Sequence, residues 1–227
     1  MVQKERTRRG RPRAYDPERA LAQVTAAFWD AGYSATSLDD LSAATGMNRP
    51  SLYGAFGDKR ALYLAAIEGY RAMARAAMRQ ALPYDCPLRD ALTRLYSRAV
   101  ALYLSGEHGA RGCLLTGTAA SEAVMNPEIR RSVRAALEEI DDAFEARLRF
   151  ARERGDLSSS ADSTTLAKLA SAVLHTLSIR ARTGAPRSAL EDLAAGGVEL
   201  ICGSTKPARR KSRGRRRQRP TAAASPR

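Results

Sequence analysis

The sequence has few cysteines, few aromatic residues and no long apolar run. Its three cysteines, Cys86, Cys113 and Cys202, are widely spaced and odd in number, which argues against a disulfide framework and, without a C-x-x-C pair, against a structural zinc site. Aromatic residues make up 6% of the chain and hydrophobic residues 44%, which fits an all-helical protein with a substantial core. No run of 18 uncharged apolar residues is present, and no apolar core follows the basic N-terminus, so we expect neither a membrane span nor a secretory signal. The expected protein is cytoplasmic, with no metal site and no cofactor.

Common catalytic signatures are also missing. The chain contains no G-x-S-x-G, no P-loop, no H-E-x-x-H and no nucleotide-binding fingerprint. Its two histidines are isolated and form no visible dyad with the cysteines. We therefore do not expect an enzyme.

The positive charge is confined to the two ends of the chain. The net charge is +14, of which residues 1–13 carry +5 and residues 204–227 carry +10, while residues 14–203 carry −1. The tail cannot build a core and is expected to be disordered. It is predicted to add non-specific DNA affinity, with an inert solubilising tail as the alternative.

The basic N-terminal arm contains Arg9-Gly10-Arg11-Pro12-Arg13, whose Arg-Gly-Arg-Pro core resembles an AT-hook. Such a segment lies in the narrow minor groove of A·T-rich DNA, where glycine permits close approach and arginine meets an enhanced negative potential. Arg11 is the candidate for insertion. The alternative is a solvated arm that makes only screened phosphate contacts.

Residues 36–59 predict two short helices joined by a glycine turn, which is a helix-turn-helix. Ser37 with Asp40 has capping-box spacing, Gly46 suits the left-handed end of the first helix, and Asn48 suits the N-cap of a second helix over about 49–56. Pro50 is tolerated in its first turn. Leu52 and Phe56 would face inward, which leaves Arg49, Ser51 and Tyr53 free to face a DNA groove. The alternative is an αα-hairpin that only packs within a helical protein.

These motifs resemble the TetR/AcrR family of transcriptional regulators. The resemblance rests on Thr36-Ser37-Leu38 with Leu41, Gly46, Leu52-Tyr53 with Phe56, and Lys59 with Leu62, preceded by Phe28 and Gly32-Tyr33. It implies that the second helix lies in the major groove, that Tyr53 and Lys59 contact phosphates, and that Thr36 and Ser37 sit where the preceding helix contacts the DNA backbone. The candidate DNA-binding residues are therefore Arg11, Thr36, Ser37, Asn48, Arg49, Pro50, Ser51, Tyr53 and Lys59.

The rest of the chain reads as a helical array. Asp16-Pro17 begins a helix, Asp58 caps a long helix to about Ala81, and residues 112–124 are nearly uncharged, as a single buried helix should be. The last two helices are expected over about 162–183 and 186–203, and the resemblance implies that they form a homodimer. The predicted organisation is an arm (1–13), a helix-turn-helix domain with its connecting helix (14–80), an effector-binding and dimerisation domain (84–203) and a basic tail (204–227).

Three residues of the second domain are candidates for sensing. Cys113 lies in Arg111-Gly112-Cys113-Leu114-Leu115, which resembles a stretch of some regulators of this family in which a cysteine responds to electrophiles or oxidants. It also follows an arginine near a probable helix start, although a free cysteine more often acts as a small buried hydrophobe. His175 could orient a ligand or be a hydrogen-bonded core histidine. Tyr103, like Tyr96 and Met125, could line a pocket but is more typical of a core.

The sequence thus predicts a DNA-binding transcriptional regulator that responds to a small-molecule effector. It is expected to act as a repressor on a pseudo-palindromic operator of double-stranded DNA, as a homodimer without membrane attachment. The alternative is an architectural, sequence-tolerant DNA-binding protein driven by its basic ends. The large, neutral and apolar-patterned segment 84–203 favours the regulator, because electrostatic coating of DNA does not need it.

Overall fold

The computed structural model describes residues 16–106 and 109–203, and this part of the chain is built from α-helices without a strand. The N-terminal arm with Arg11 and the basic tail lie outside the described residues. The helices are α1 (Pro17–Ala31), α2 (Leu38–Thr45), α3 (Arg49–Phe56), α4 (Lys59–Ala81), α5 (Leu88–Tyr103), α6 (Leu114–Ala120), α7 (Glu122–Met125), α8 (Pro127–Glu153), α9 (Ser163–Arg182) and α10 (Arg187–Cys202).

Side-chain caps fix the two helices of the helix-turn-helix. The Ser37 hydroxyl accepts a hydrogen bond from the backbone N–H of Asp40 at 3.1 Å, and the Asp40 carboxylate accepts one from the backbone N–H of Ser37 at 2.7 Å. The Asn48 side chain accepts from the backbone N–H of Ser51 at 2.9 Å. Gly46 has the left-handed conformation, with φ +68°. The predicted capping box, glycine turn and N-cap of α3 are therefore confirmed.

A compact core joins α1, α2, α3 and the start of α4. Val24, Phe28, Leu41, Leu52 and Leu62 are completely buried and belong to the same apolar cluster. Leu52 is buried as predicted, and Phe56, the other predicted inward-facing residue of α3, packs against this cluster. This packing leaves the opposite side of α3 in solvent.

The long helix α4 joins the two halves of the molecule. Asp58 caps it by accepting a hydrogen bond from the backbone N–H of Ala61 at 2.8 Å, and it ends at Ala81, two residues before Pro83. It packs against α1 at one end and against α8 along its length. The predicted connecting helix is confirmed.

The second half is a layered bundle in which α8 packs on α9, and α10 packs on both α5 and α9. Arg147 of α8 is completely buried and ties down the connection between α4 and α5. Its guanidinium donates to the backbone oxygens of Pro83 at 3.0 Å and of Cys86 at 2.6 Å. The last two helices occupy the predicted positions.

Residues 112–124 do not form the predicted single helix. The chain bends at Ser121, where the backbone N–H of Ser121 bonds to the oxygen of Thr118 and the N–H of Val124 bonds to the oxygen of Ser121, each three residues back. The segment therefore divides into α6 and α7. Met125, at the end of α7, is 85% exposed, so its assignment to the core or a pocket is wrong.

Among the described helices, none is long and apolar enough to cross a membrane.

Candidate nucleic-acid interface and internal cavity

Helix α3 presents one edge to solvent at the tip of the first domain. Arg49, Pro50, Ser51 and Tyr53 are exposed, while Leu52 between them is buried in the core of this domain. Pro50 fits the first turn because the N–H it lacks would have no helical acceptor there. The exposed edge has the shape and chemistry of a helix that can enter a major groove.

Arg49 is held in place by Asp39 of α2. Its Nε donates to Asp39 Oδ1 at 2.8 Å, and its Nη2 donates to Asp39 Oδ2. The carboxylate raises the pKa of the Arg49 guanidinium. The sequence predicted a free Arg49, whereas the structure shows an arginine with one edge already paired.

Polar groups flank this edge on both sides. Ser37 and Asn48 are exposed at the N-termini of α2 and α3, where unpaired backbone N–H groups and the helix dipole favour anions such as phosphate. Lys59 begins α4, and its Nζ lies 4.4 Å from the centroid of the Tyr33 ring, within range of a cation–π interaction.

Thr36 does not belong to this exposed surface. The residue is 2% exposed, and its hydroxyl donates to the backbone oxygen of Gly32 at 2.6 Å. Thr36 is therefore buried at the turn between α1 and α2, which it fixes and so positions Ser37. A contact between Thr36 and the DNA backbone stays a prediction.

A second candidate site is a cavity of about 330 Å³ in the second half, partly open to solvent. Its walls are mainly apolar side chains from α4, α5, α8 and α9, among them Met73, Met78, Leu95, Leu102, Ile140 and Leu174. Tyr70, Arg98, Tyr103, Cys113 and His175 contribute the polar atoms. The structure thus brings the three candidate sensing residues, Tyr103, Cys113 and His175, to one cavity.

The polar groups of the cavity are few and poorly solvated. The Tyr70 hydroxyl donates to the Cys113 sulfur at 3.2 Å. Burial raises the pKa of Tyr70 and of Tyr103, and the nearby Cys113 sulfur adds to both shifts. Burial lowers the pKa of His175, and its Nε2 has no hydrogen-bond partner among the described residues. A ligand with one polar group could therefore pair with His175.

Known proteins resemble both halves of the chain. A family model described as "Bacterial regulatory proteins, tetR family" matches residues 21–66, and one described as "Tetracyclin repressor-like, C-terminal domain" matches residues 87–195. A solved structure of the TetR-family regulator CifR, a cysteine mutant bound to 26-base-pair operator DNA, is 32% identical, covers 83% of this chain and 98% of its own, and superimposes with a TM-score of 0.72.

The chain belongs to the TetR family of transcriptional regulators. It is a DNA-binding regulator with an N-terminal helix-turn-helix domain and a C-terminal helical domain, as predicted.

Two curated relatives of this chain are a repressor and an activator. The transcriptional repressor ComR of Escherichia coli K12 is 28% identical over 188 residues, which cover 82% of this chain and 89% of ComR. The transcriptional activator FasR of Mycolicibacterium smegmatis is 30% identical over 138 residues, which cover 60% of this chain and 61% of FasR.

In this TetR-family protein, the segment Arg111–Cys113 connects the cavity to the helix-turn-helix domain. The indole N–H of Trp29, in α1, donates to the backbone oxygen of Gly112 at 3.0 Å. The Arg111 guanidinium lies 3.8 Å from the centroid of the Trp29 ring and 3.8 Å from Asp30. The next residue, Cys113, reaches into the cavity. One short segment therefore touches both halves.

Helix α9 holds this segment from the other side. The backbone N–H of Cys113 donates to the Ser178 hydroxyl at 2.8 Å, and the Arg182 guanidinium donates to the backbone oxygen of Arg111 at 3.0 Å. Gly112 has φ +63°, and a Cβ there would lie 2.9 Å from the backbone oxygen of Ser178. Only glycine fits this position without displacing α9.

Asp39, Trp29 and Gly112 are site residues that the sequence did not predict. Asp39 lies one residue after the helix start and reads as a solvated first-turn acid, and Trp29 reads as one more apolar residue of α1. Gly112 stands next to the residue that was singled out, but its role depends on a contact with α9, which lies 66 residues away in the sequence. No local pattern carries that information.

Proposed function

We propose that the protein is a ligand-responsive repressor that binds a pseudo-palindromic DNA operator as a homodimer. The observation that carries the proposal is the exposed edge of α3, with Arg49, Ser51 and Tyr53 held at the tip of a capped helix-turn-helix. Ser37, Asn48 and Lys59, at the starts of α2, α3 and α4, and Pro50, in the first turn of α3, are the further DNA-binding residues of the proposal. The chain is divided as the sequence predicts, into residues 1–13, 14–80, 84–203 and 204–227.

Two helix faces that carry exposed apolar residues support the dimer. On α9, Leu169, Ala172, Thr176 and Ile179 follow one helical face, and on α10 a second face carries Ala189, Leu193, Gly196 and Leu200. Leu200 is 75% exposed and Ile179 is 53% exposed, which is unfavourable in a monomer. A Cβ at Gly196 would meet no atom within 4 Å, so a partner helix can approach closely there. A dimer formed through these helices would have the twofold symmetry that binding of two copies of α3 to a palindrome requires.

The DNA-binding part of the proposal is tested by footprinting the DNA around the protein's own gene and then measuring variants on the protected site. Arg49→Ala and Tyr53→Ala should each weaken operator binding by about 1–3 kcal/mol. Arg94→Ala, which removes an exposed arginine from α5, serves as the matched control and should bind normally. Unchanged footprints for both α3 variants would remove α3 as the recognition helix.

The effector part of the proposal rests on the cavity. Its volume and apolar walls suit a small, largely uncharged molecule, and the unpartnered Nε2 of His175 suits one hydrogen-bonding group of such a ligand. Tyr70 lines the cavity from α4, the helix that begins with Lys59 at the DNA face. An occupant that shifts α4 would therefore change the separation of the two recognition helices and release the operator.

This mechanism is tested with small-molecule libraries. Compounds that raise the melting temperature of the protein should also weaken operator binding. His175→Phe should weaken the binding of such compounds but not of DNA. If every stabilising compound leaves operator affinity unchanged, the cavity and operator binding are not coupled.

Cys113 gives the cavity a second mode of response. The specific observation is that its sulfur lies in the cavity wall and accepts the Tyr70 hydroxyl. N-ethylmaleimide is a suitable probe: the sulfur bonds to one alkene carbon and the thiol proton ends on the neighbouring carbon. The reagent should weaken operator binding of the parent and of Cys86→Ser but not of Cys113→Ser. Equal sensitivity of Cys113→Ser would make Cys113 a core residue only.

The basic ends are assigned to affinity rather than specificity. If they act through phosphate contacts and counterion release, deletion of residues 204–227 should make the slope of log affinity against log salt shallower without changing the preferred site. Deletion of residues 1–13 should relax any A·T preference beside the half-sites if Arg11 enters the minor groove. Loss of all site preference on removal of the tail would favour the architectural DNA-binding protein.

A further inference from the structure

The pairing of Arg49 with Asp39 joins the two helices of the helix-turn-helix at their exposed surface. Asp39 is the second residue of α2 and Arg49 is the first residue of α3. Their side chains are 73% and 54% exposed, and the contact has two hydrogen bonds, from Nε and from Nη2. An exposed ion pair contributes little to stability. Stability of the fold therefore does not explain why Asp39 and Arg49 pair.

The contact leaves one edge of the guanidinium free. An arginine side chain has five N–H donors in a rigid plane. Asp39 accepts one from Nε and one from Nη2. Both donors of Nη1 and the second donor of Nη2 remain, and they form the outer edge of the fork. This edge matches O6 and N7 of guanine, which an arginine reads with two parallel hydrogen bonds in the major groove.

The charge of the pair favours a base over a phosphate. Asp39 neutralises Arg49, so the pair gains little from phosphate attraction or from counterion release. A carboxylate beside the guanidinium also repels a phosphate at short range. Hydrogen-bond direction survives this neutralisation, and reading a base edge depends on direction. Arg49 is also at the N-terminal end of α3, the part of a recognition helix that contacts base edges.

We propose that Asp39 is a specificity-determining residue that aims the free edge of Arg49 at a guanine in each half-site of the operator. Asp39 itself is a positioning residue and touches no base. By fixing the long arginine side chain before binding, it lowers the conformational entropy that Arg49 loses on the DNA. The inference rests on the proposed role of α3 as the recognition helix.

The first step of the test identifies the guanine. The full-length protein selects its preferred sites from a random double-stranded DNA library, and Arg49→Ala does the same. The guanine preference that disappears in Arg49→Ala marks the position read by Arg49. At that position the parent should prefer guanine over other bases by about 5- to 100-fold. If the parent selects no sequence, the proposed function fails; if Arg49→Ala loses no guanine preference, the inference fails.

The second step tests Asp39. Asp39→Asn and Asp39→Ala should reduce the guanine preference at this position to about threefold or less, while the affinity for the mismatched site stays the same or rises. The slope of log affinity against log salt should steepen by about one, because the released arginine can then contact a phosphate. Glu18→Gln, which removes an exposed acid from α1 of the same domain, should change neither the preference nor the slope. Melting curves of the Asp39 variants check that they are folded.

One outcome would overturn the proposal while leaving α3 as the recognition helix. If both Asp39 variants bind every sequence more tightly and keep the full guanine preference, Asp39 only repels DNA and does not aim Arg49. Asp39→Glu, which keeps the charge on a longer side chain, separates the two explanations further. Under the proposal it should lose part of the guanine preference, whereas under simple repulsion it should behave as the parent does.

Discussion

The two functional regions of this molecule hold their side chains in opposite ways. On the DNA face, Arg49, Ser51 and Tyr53 project into solvent from α3. This helix is held in place by its caps and by one ion pair. In the cavity, Tyr70, Tyr103 and Cys113 are buried and also form part of the core. A substitution on the DNA face can therefore change function alone. A substitution in the cavity changes function and stability together. It must therefore be compared with a control variant that lowers the free energy of unfolding by the same amount.

The segment Arg111–Cys113 is where these two regions meet. It contacts Trp29 and Asp30 of α1 on one side and the cavity on the other, through backbone and side-chain atoms that are mostly buried. Because both halves depend on it, the largest effects are expected here.

The first prediction compares two glycines with positive φ. Gly112→Ala should lower the free energy of unfolding by about 2–5 kcal/mol. It forces alanine into the left-handed region at about 1–2 kcal/mol and overpacks the contact with Ser178 at about 1–3 kcal/mol more. In Gly184→Ala, where a Cβ would meet no atom within 4 Å, only the backbone cost remains. Denaturant unfolding measures both. Equal losses would mean that the approach of α9 to Gly112 does not constrain the chain.

The second prediction removes the hydrogen bond across the junction. Trp29→Phe keeps an aromatic ring near Arg111 and Tyr70 but deletes the N–H that the Gly112 carbonyl accepts. Leaving that buried carbonyl unpaired should cost about 1–3 kcal/mol of stability. A double-mutant cycle with Arg111→Ala should give a coupling energy of at least about 0.5 kcal/mol, since both residues serve one contact. Strict additivity would show that the hydrogen bond and the cation–π contact act independently.

How far the sequence could predict these features follows from the distance between the interacting residues. The caps by Ser37, Asn48 and Asp58 and the turn at Gly46 depend on neighbours within three residues, and all of them are confirmed. The bend at Ser121 was missed, because nothing in the nearly uncharged segment from 112 to 124 marks the point at which the backbone hydrogen bonds change from four-residue to three-residue spacing.

The cavity and the junction were only partly predictable for the same reason. Cys113 was singled out by the resemblance of its segment to a stretch of some family members, and His175 by its residue type, but their convergence depends on α4, α5 and α9 packing together. The bond between Trp29 and Gly112 joins residues 83 positions apart. The pairing of Asp39 with Arg49 spans only ten positions, yet it crosses a turn and requires the relative placement of two helices. Periodicity and capping rules do not provide that placement.

The third prediction tests the DNA face by removing a cap. Asn48→Ala deletes the acceptor for the Ser51 N–H and should destabilise the protein by about 0.5–2 kcal/mol, typically about 1. Because the cap lies far from the cavity, N-ethylmaleimide should react with Cys113 at the same rate in this variant. A faster reaction would mean that fraying of α3 opens the cavity, which would break the separation between the two regions.

The smallest expected effect concerns the ionisation of His175. Burial lowers its pKa, and the one charged group that opposes this shift is Asp141 of α8, while Arg98 of α5 lines the same cavity. Below about pH 6.5, the ordinary histidine pKa, the unfolded chain therefore binds a proton that the folded protein resists. Stability should fall as the pH is lowered through this range, by at most about 1.4 kcal/mol per pH unit for one proton.

His175→Gln should flatten this part of the stability profile, measured by denaturant unfolding between pH 7 and pH 5. His108, which lies outside the described residues, is the only other histidine in the sequence, so His108→Gln is measured beside it. If the slope of unfolding free energy against pH is the same in His175→Gln as in the parent, His175 is solvated in the folded protein. Its Nε2 would then bind water and would not be an unpaired group available to a ligand.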